Sequence, residues 1–141
     1  MIANLQSIAV HFGRVGLASL FLLGGVNKIA NYSMIAERMV DVDLMPTFLL
    51  LPATIALELG GGALLALGVR YAWIAALVLA IFTLATNVYF HRFWELSGPL
   101  AELELSLFFK NVAVSGGLVF VAATLVSSEQ GNGERRLEGR I

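Results

Sequence analysis

The sequence predicts an all-α membrane protein, an antiparallel bundle of four transmembrane helices with a short interfacial helix between the first two. Three observations support this fold class. First, 58% of the 141 residues are hydrophobic and 13% are charged, whereas soluble domains have about 25% charged residues. Second, four apolar segments are each long enough to cross about 30 Å of hydrocarbon as a helix. Third, the segments lack the polar–apolar alternation of membrane strands, so a β-barrel is excluded.

The four predicted spans are joined by connections of different kinds. They cover approximately residues 7–29, 47–69, 71–90 and 106–126. The second and third spans meet at the short segment GVR, residues 68–70, which forces these helices to be antiparallel neighbours. The segment ANYSMIAERMVDVDLMP, between the first two spans, predicts the interfacial helix. We therefore expect one transmembrane domain over residues 1–126, followed by a polar, disordered tail over residues 127–141.

Charge and cysteine content exclude several classes of function. The formal net charge is -1 and no basic face is visible, so nucleic acid is not expected as a partner. The absence of cysteine excludes disulfide exchange and thiolate metal ligands in this chain. The two histidines, His11 and His91, fall near opposite ends of the bundle, which argues against a bis-histidine haem. We predict no metal site and no intrinsic cofactor.

The distribution of Lys and Arg predicts cytoplasmic termini. With four spans both termini share one side of the membrane, which also holds Arg70 and the three arginines of the C-terminal segment. The opposite side carries Lys28, Arg38 and Arg92, with Lys110 just inside the fourth span. Basic residues favour the cytoplasmic side, and the difference here is small.

One carboxylate, Glu58, stands in the middle of the second span, within ALELGGGALLALG. A lone charge at this depth costs at least about 2.5–3.5 kcal/mol, so Glu58 is expected to pair inside the bundle. Arg14 of the first span lies at similar depth when about 1.5 Å is counted per residue, and it is the predicted partner. This ion pair either orients two helices without chemical consequence or takes part in proton relay or ligand contact.

A second group of polar residues gathers at the predicted external ends of the spans. It consists of Asn27, Lys28, His91, Lys110 and Asn111. These residues are candidates for a site that binds an anion or a quinone head group, with Lys110 and Asn111 as hydrogen-bond donors. In the alternative interpretation, the lysines simply extend to the lipid headgroups.

Small residues in the spans predict close packing between helices, because lipid supplies no hydrophobic force to hold helices together. The predicted packing glycines are Gly13 in the first span, Gly60, Gly61 and Gly62 in the second, and Gly116 and Gly117 in the fourth. Glu58 begins the glycine-rich face of the second span. We therefore expect its carboxylate to be sheltered from lipid.

Three segments resemble the DoxX family of small membrane proteins. RVGLASLFLLGGVNKI has the arginine, glycine and lysine of the first-span pattern, here Arg14, Gly25 and Lys28. LMP followed by ELGGGALLALGVR resembles the second-span signature, which has a proline before the helix, a glutamate, glycines, and a glycine and an arginine at the turn. FFKNVAVSGGLVF is similar to the fourth-span segment of one branch of the family. The resemblance covers nearly the whole chain up to residue 126.

The resemblance implies an integral protein of the bacterial inner membrane, with links to quinol oxidase or thiosulfate:quinone assemblies and to complexes for oxidative-stress defence. It implies no settled catalytic residues. One expected function is an accessory or scaffold subunit that contacts the lipid bilayer and other membrane subunits or a second copy of itself. The alternative is an oxidoreductase or carrier that uses the intramembrane polar residues to bind a quinone or another small molecule. A bound quinone or lipid is the expected ligand in that case.

Overall fold

The computed structural model describes the backbone of residues 2–138 and the side chains of residues 5–128. Its helices are α1 (Ile2–Ala30), α2 (Tyr32–Asp41), α3 (Thr47–Leu67), α4 (Ala72–Phe90) and α5 (Pro99–Glu138), with a 3₁₀ turn at Phe93–Glu95. Residues 2–138 contain no strand. All the helices except α2 are long and apolar enough to cross a membrane. The predicted all-α class, with four spans and a short helix after the first, is confirmed.

Glycine and proline set the helix ends around the short connections. α3 is followed by Gly68, which has a φ of 62° and donates its backbone N–H to the carbonyl oxygen of Leu64. Glycine takes this left-handed conformation without steric penalty, which makes it a favourable residue after a helix. α5 begins at Pro99, whose fixed φ suits the first turn of a helix.

The four long helices pack as two close pairs. α1 lies against α3 and α4 lies against α5, while a smaller contact between α3 and α4 joins the pairs. The contact between α1 and α5 is the least extensive of those between long helices. The order around the bundle is therefore α1, α3, α4, α5, with its weakest seam between the first and last spans.

Small and aliphatic side chains fill the interior of the bundle. Its buried cluster includes Ala18, Phe21, Leu65, Ala76, Leu79 and Leu118. Large apolar side chains such as Phe12, Ile81 and Phe120 point outward and are more than half exposed. An apolar exterior of this kind matches hydrocarbon, and it agrees with the length and hydropathy of the four helices.

α5 is longer than the predicted fourth span at both ends. The prediction placed this span at residues 106–126, whereas the helix runs from Pro99 to Glu138. Residues 127–138, expected to belong to a disordered tail, thus have helical backbone, and residues 139–141 lie outside the described part of the chain. No proline follows Pro99 in the sequence. The residue that most strongly ends a helix is therefore missing at the predicted boundary.

Two of the predicted packing glycines lie at close helix contacts. A Cβ added at Gly61 would lie 3.2 Å from the Leu79 side chain of α4. A Cβ added at Gly62 would lie 3.1 Å from the Leu22 side chain and 3.3 Å from the carbonyl oxygen of Ala18, both in α1. These two glycines allow α3 to approach its two neighbours.

The other predicted packing glycines make weaker contacts or none. A Cβ at Gly117 would be 3.5 Å from Leu17, which is ordinary van der Waals contact. Gly13, Gly60 and Gly116 make no such contact within the bundle, because a Cβ there would meet nothing within 4 Å. These three glycines lie on exposed helix faces. The sequence spacing identifies small residues but does not fix how each helix is rotated about its axis.

Candidate functional site

Glu58 forms an ion pair with Lys28 of α1. The Lys28 Nζ atom lies 2.8 Å from Glu58 Oε2 and 2.9 Å from Oε1, so the ammonium group donates to both carboxylate oxygens. The Glu58 side chain is 7% exposed and the Lys28 side chain is 23% exposed. The carboxylate is therefore sheltered between the helices, and its partner is a residue predicted to lie in the external polar group.

The predicted pairing of Glu58 with Arg14 was wrong. α1 and α3 are antiparallel, and a Cβ added at Gly24 would lie 3.4 Å from Glu58 Oε2, so Gly24 is opposite the carboxylate. Arg14 precedes Gly24 by ten residues, or about 15 Å along the helix. Lys28 lies one turn beyond Gly24 on the same face, and its long side chain reaches back to the carboxylate. The glycine contacts set the helix register, whereas the prediction depended on depth from the membrane surfaces.

Two glycines of α1 bring α3 close at the level of the ion pair. A Cβ at Gly25 would lie 2.7 Å from the Leu59 side chain, so a larger residue there would displace that side chain or the helix. Gly24 leaves room for the Glu58 carboxylate in the same way. Neither residue was among the predicted packing glycines. The sequence feature that could have identified them is the Gly24–Gly25 pair, which lies about one turn before Lys28.

Arg14 lies at the C-terminal end of α3. Its Nη2 atom is 3.5 Å from the carbonyl oxygen of Ala66, and its guanidinium group faces Gly68. The last carbonyl groups of a helix have no partner within the helix and carry partial negative charge, so this end favours a cation. Arg14 is 7% exposed and its Nε atom has no hydrogen-bond partner. Among the side chains of residues 5–128, no carboxylate pairs with it.

We expect Gly68→Ala to destabilise the protein by more than the cost of backbone strain. Alanine is strained at a φ of 62°, and its methyl group would overlap the Arg14 guanidinium. Gly98→Ala is the matched control, because Gly98 has a φ of 67° but nothing within 4 Å of an added Cβ. Thermal unfolding in detergent, followed by the fluorescence of Trp73 and Trp94, compares the two variants. Equal losses would mean that Arg14 does not restrict this position.

Buried polar side chains join α4 and α5. Asn87 Nδ2 donates to the carbonyl oxygen of Phe108 at 3.1 Å, and Asn111 Nδ2 donates to Asn87 Oδ1 at 2.8 Å. Ser115 Oγ lies 2.9 Å from the carbonyl oxygen of Asn111 and 3.2 Å from that of Ala80 in α4. Asn87 is 1% exposed. Hydrogen bonds of this kind hold transmembrane helices together.

Asn87→Leu is expected to lower the free energy of unfolding by about 1–2 kcal/mol. The substitution leaves the Phe108 carbonyl and the Asn111 amide without their buried partner. The double variant Asn87→Leu/Asn111→Leu should lose less than the sum of the two single losses, since both members of one hydrogen bond are removed. Denaturant titration of the four proteins measures the coupling. Strictly additive losses would contradict the assigned bond.

The predicted external head-group site is not assembled. Its members were Asn27, Lys28, His91, Lys110 and Asn111. Lys28 is bound to the Glu58 carboxylate, and Asn111 is bound to the Asn87 amide. His91 Nδ1 lies 2.7 Å from Glu104 Oε2, and Asn27 Oδ1 accepts from Asn31 Nδ2 at 2.8 Å. Lys110 is exposed and has no partner among the described side chains. The helix rotations direct these residues to separate neighbours, so the prediction of one shared site was wrong.

The described residues offer little to hold a metal ion. Within the part of the chain whose side chains are described, no group of three or more His, Cys, Asp or Glu residues could do so. The polar contacts inside the bundle include the Lys28–Glu58 pair, the amide contacts between α4 and α5, and the buried Arg14 guanidinium.

The fold and these contacts define a small polytopic membrane protein whose spans are joined by an intramembrane ion pair and by hydrogen bonds. The chain belongs to the DoxX family, whose family model matches residues 9–92. The matched region contains Arg14, Lys28 and Glu58, so the family predicted from the sequence is confirmed.

Two relatives from Escherichia coli (strain K12) are similar over most of their length. Inner membrane protein YqjF is 32% identical over 121 residues, which cover 86% of this chain and 87% of that protein. Inner membrane protein YphA is 23% identical over 119 residues, which cover 84% of each chain. No solved structure matches this chain.

Proposed function

We propose that this DoxX-family protein is an accessory subunit of the bacterial inner membrane, packed against other membrane subunits of a redox complex. Both relatives from Escherichia coli are named inner membrane proteins, which supports the location. The family resemblance supplies the class of partner, a quinone-linked or oxidative-stress assembly. The outer face of α3 and the polar contacts between the helices favour a subunit over an enzyme.

A row of small residues on the outer face of α3 carries this proposal. Ala53, Ala56, Gly60 and Ala63 are exposed and follow one another at intervals of three or four residues, so they share one helix face. A Cβ added at Gly60 would meet nothing within 4 Å. Glycine lowers helix propensity by about 1 kcal/mol relative to alanine, and contact with lipid does not require it. Rows of small residues are surfaces at which transmembrane helices approach each other closely.

The polar groups inside the bundle also favour a subunit. The Lys28–Glu58 and Asn87–Asn111 contacts each join two helices of this chain. Each contact occupies the groups that a quinone or substrate would need for binding. These intramembrane polar residues therefore act between helices and leave the outer surface as the place where a partner binds.

Affinity purification in mild detergent tests the proposal. We expect wild-type protein to co-purify with membrane subunits identified by mass spectrometry, and Gly60→Leu to lose them, because leucine fills the small-residue row without entering the bundle. Ala85→Leu is the control, since Ala85 is also exposed but lies on α4. A homo-oligomer that carries its own chromophore, or equal recovery of partners with both variants, would contradict the proposal.

Within this proposal both termini lie in the cytoplasm. The excess of basic residues on the side of the termini supports this orientation. A fluorescent reporter that folds in the cytoplasm, fused after the last residue, should be active, and a periplasmic reporter at the same place should be inactive. The reverse result would invert the topology.

A further inference from the structure

A cavity of about 750 Å³ opens between α1 and α5, at the end of the bundle where α1 begins. It lies at the seam where these two helices make the least contact. Its walls carry polar residues from both helices: Gln6, Ser7, His11 and Arg14 from α1, and Thr124, Ser127 and Ser128 from α5.

The polar residues of α1 occupy one face of a membrane-spanning helix. At about 100° per residue, the four positions fall within an arc of about 140°. Gln6, Ser7 and His11 are exposed, and α5 does not cover them. Gln6 and Ser7 lie in the first turn of the span, and the face continues inward to Arg14, where hydrocarbon offers no hydrogen bonds and a charge requires a polar partner.

Arg14 lies deepest in this cavity and lacks an anion. It follows Gln6 by eight residues, or about 12 Å along the helix. Its guanidinium has five N–H donors, yet the described contacts are one long hydrogen bond to the Ala66 carbonyl and none from Nε. The other cation of α1, the half-buried Lys28, has a carboxylate against it. A buried positive charge without an anionic partner is costly, and the open space beside Arg14 is where an anion would remove that cost.

His11 and Ser7 provide further polar groups along the same wall. His11 Nδ1 lies 2.7 Å from the carbonyl oxygen of Ser7 and must be the donor, since a carbonyl oxygen only accepts. The Ser7 hydroxyl is therefore left as a donor to a bound group, whereas Nε2 of the ring donates only when the imidazole carries both protons. A tetrahedral oxyanion accepts from several donors at once, the planar guanidinium and a hydroxyl among them.

We propose that this cavity binds a phosphate group, with Arg14 as the principal donor and with His11 and Ser7 beside it. The phosphate has two sources with the same chemistry, the headgroup of an anionic phospholipid and a soluble phosphate anion. Val10 and Leu125 also line the cavity and give an acyl chain an apolar wall. This proposal is independent of the accessory-subunit function, because it concerns a different surface.

Thermal unfolding in nanodiscs distinguishes the two sources. Nanodiscs of phosphatidylcholine alone are compared with nanodiscs that also contain phosphatidylglycerol, and with phosphatidylcholine nanodiscs in inorganic phosphate. A higher unfolding temperature with phosphatidylglycerol identifies the lipid headgroup, and a rise with inorganic phosphate alone identifies the soluble anion. No rise in either condition overturns the proposal.

Three variants test whether the effect arises in this cavity. Arg14→Met should weaken binding at least about tenfold, as expected for the loss of charge-assisted hydrogen bonds. Arg14 also faces Gly68, so Ser127→Leu provides a second test. It fills the cavity from α5, and the described hydrogen bond of Ser127 is only to Ala123 within the same helix.

Arg70→Met is the matched control for the charge. Arg70 lies on the same side of the bundle, with its guanidinium 4.7 Å from the centre of the Tyr71 ring and outside the cavity. Lipid retention is measured by native mass spectrometry and phosphate binding by the shift in unfolding temperature. Binding that survives both Arg14→Met and Ser127→Leu, or that Arg70→Met abolishes equally, overturns the proposal.

Discussion

Lys28→Met is expected to destabilise the protein by about 3–5 kcal/mol, the usual cost of removing one member of a buried ion pair. The substitution leaves the Glu58 carboxylate, which is 7% exposed, without its donor. Glu58→Met should cost less, because the Lys28 side chain is 23% exposed and can extend its ammonium group toward the membrane surface. The double variant should recover much of the loss, since two apolar side chains replace the pair.

Denaturant titration in detergent micelles measures these losses as free energies of unfolding. Lys110→Met is the matched control, because Lys110 is exposed and has no partner among the described side chains, so its substitution should be nearly neutral. A double variant no more stable than Lys28→Met would refute the ion pair as the source of the loss. If the double variant folds and still recovers the wild-type partner subunits, the pair acts as a structural clamp. Recovery of folding without partners would give it a functional role.

The second large effect is expected for Gly62→Leu, with a loss of about 3 kcal/mol, at the upper end of the usual cost of overpacking. An added Cβ at Gly62 already lies 3.3 Å from the carbonyl oxygen of Ala18, and a backbone atom cannot rotate away as a side chain can. The remaining atoms of leucine would force α1 and α3 apart. The same displacement would separate Lys28 from Glu58, since both helices carry the ion pair.

Gly60→Leu is the control for this prediction. It places the same residue on the same helix at a position where a Cβ would meet nothing within 4 Å. Leucine has the higher helix propensity, so Gly60→Leu should be neutral or slightly stabilising. Circular dichroism melts of the two variants in one detergent give the comparison. Similar melting temperatures for both would show that the α1–α3 contact is not limited by Gly62.

Sequence predicts the fold class and the spans well because a bilayer restricts the backbone so strongly. Every N–H and C=O group must be paired inside its own segment, so a long apolar run in lipid is a helix. The third span shows this clearly, since the predicted segment 71–90 becomes α4, Ala72–Phe90. The C-terminal boundary was harder, because residues 127–138 are polar enough to leave the bilayer and contain glycines but no proline, and the helix continues through them.

Helix rotation and register could not be predicted from this sequence. Lys28 and Arg14 are fourteen residues apart, or about four turns, so both cations lie near one face of α1 and the spacing favours neither as the partner of Glu58. Only the glycine contacts between α1 and α3 decide the register. In the same way, Gly60, Gly61 and Gly62 differ by about 100° each, so they cannot all face a neighbouring helix.

The proposed phosphate cavity could not be predicted as one site from the sequence, because its residues come from separate parts of α1 and α5. Gln6, Ser7, His11 and Arg14 share one face of α1, because their sequence positions fall within an arc of about 140° at about 100° per residue. The predicted pairing with Glu58 would have neutralised Arg14, the residue of this face that is best suited to bind an anion. The corrected partner of Glu58 thus leaves an arginine available at the seam between α1 and α5.

The Lys28–Glu58 pair also has a consequence for biogenesis. α1 is synthesised before α3, so the ammonium group of Lys28 reaches the translocon first, near the end of its span. Moving the Glu58 carboxylate into hydrocarbon is least costly when that ammonium is already beside it. We therefore expect α1 and α3 to enter the bilayer together as a helical hairpin whose two charges neutralise each other, so that insertion of the second span would depend on the first.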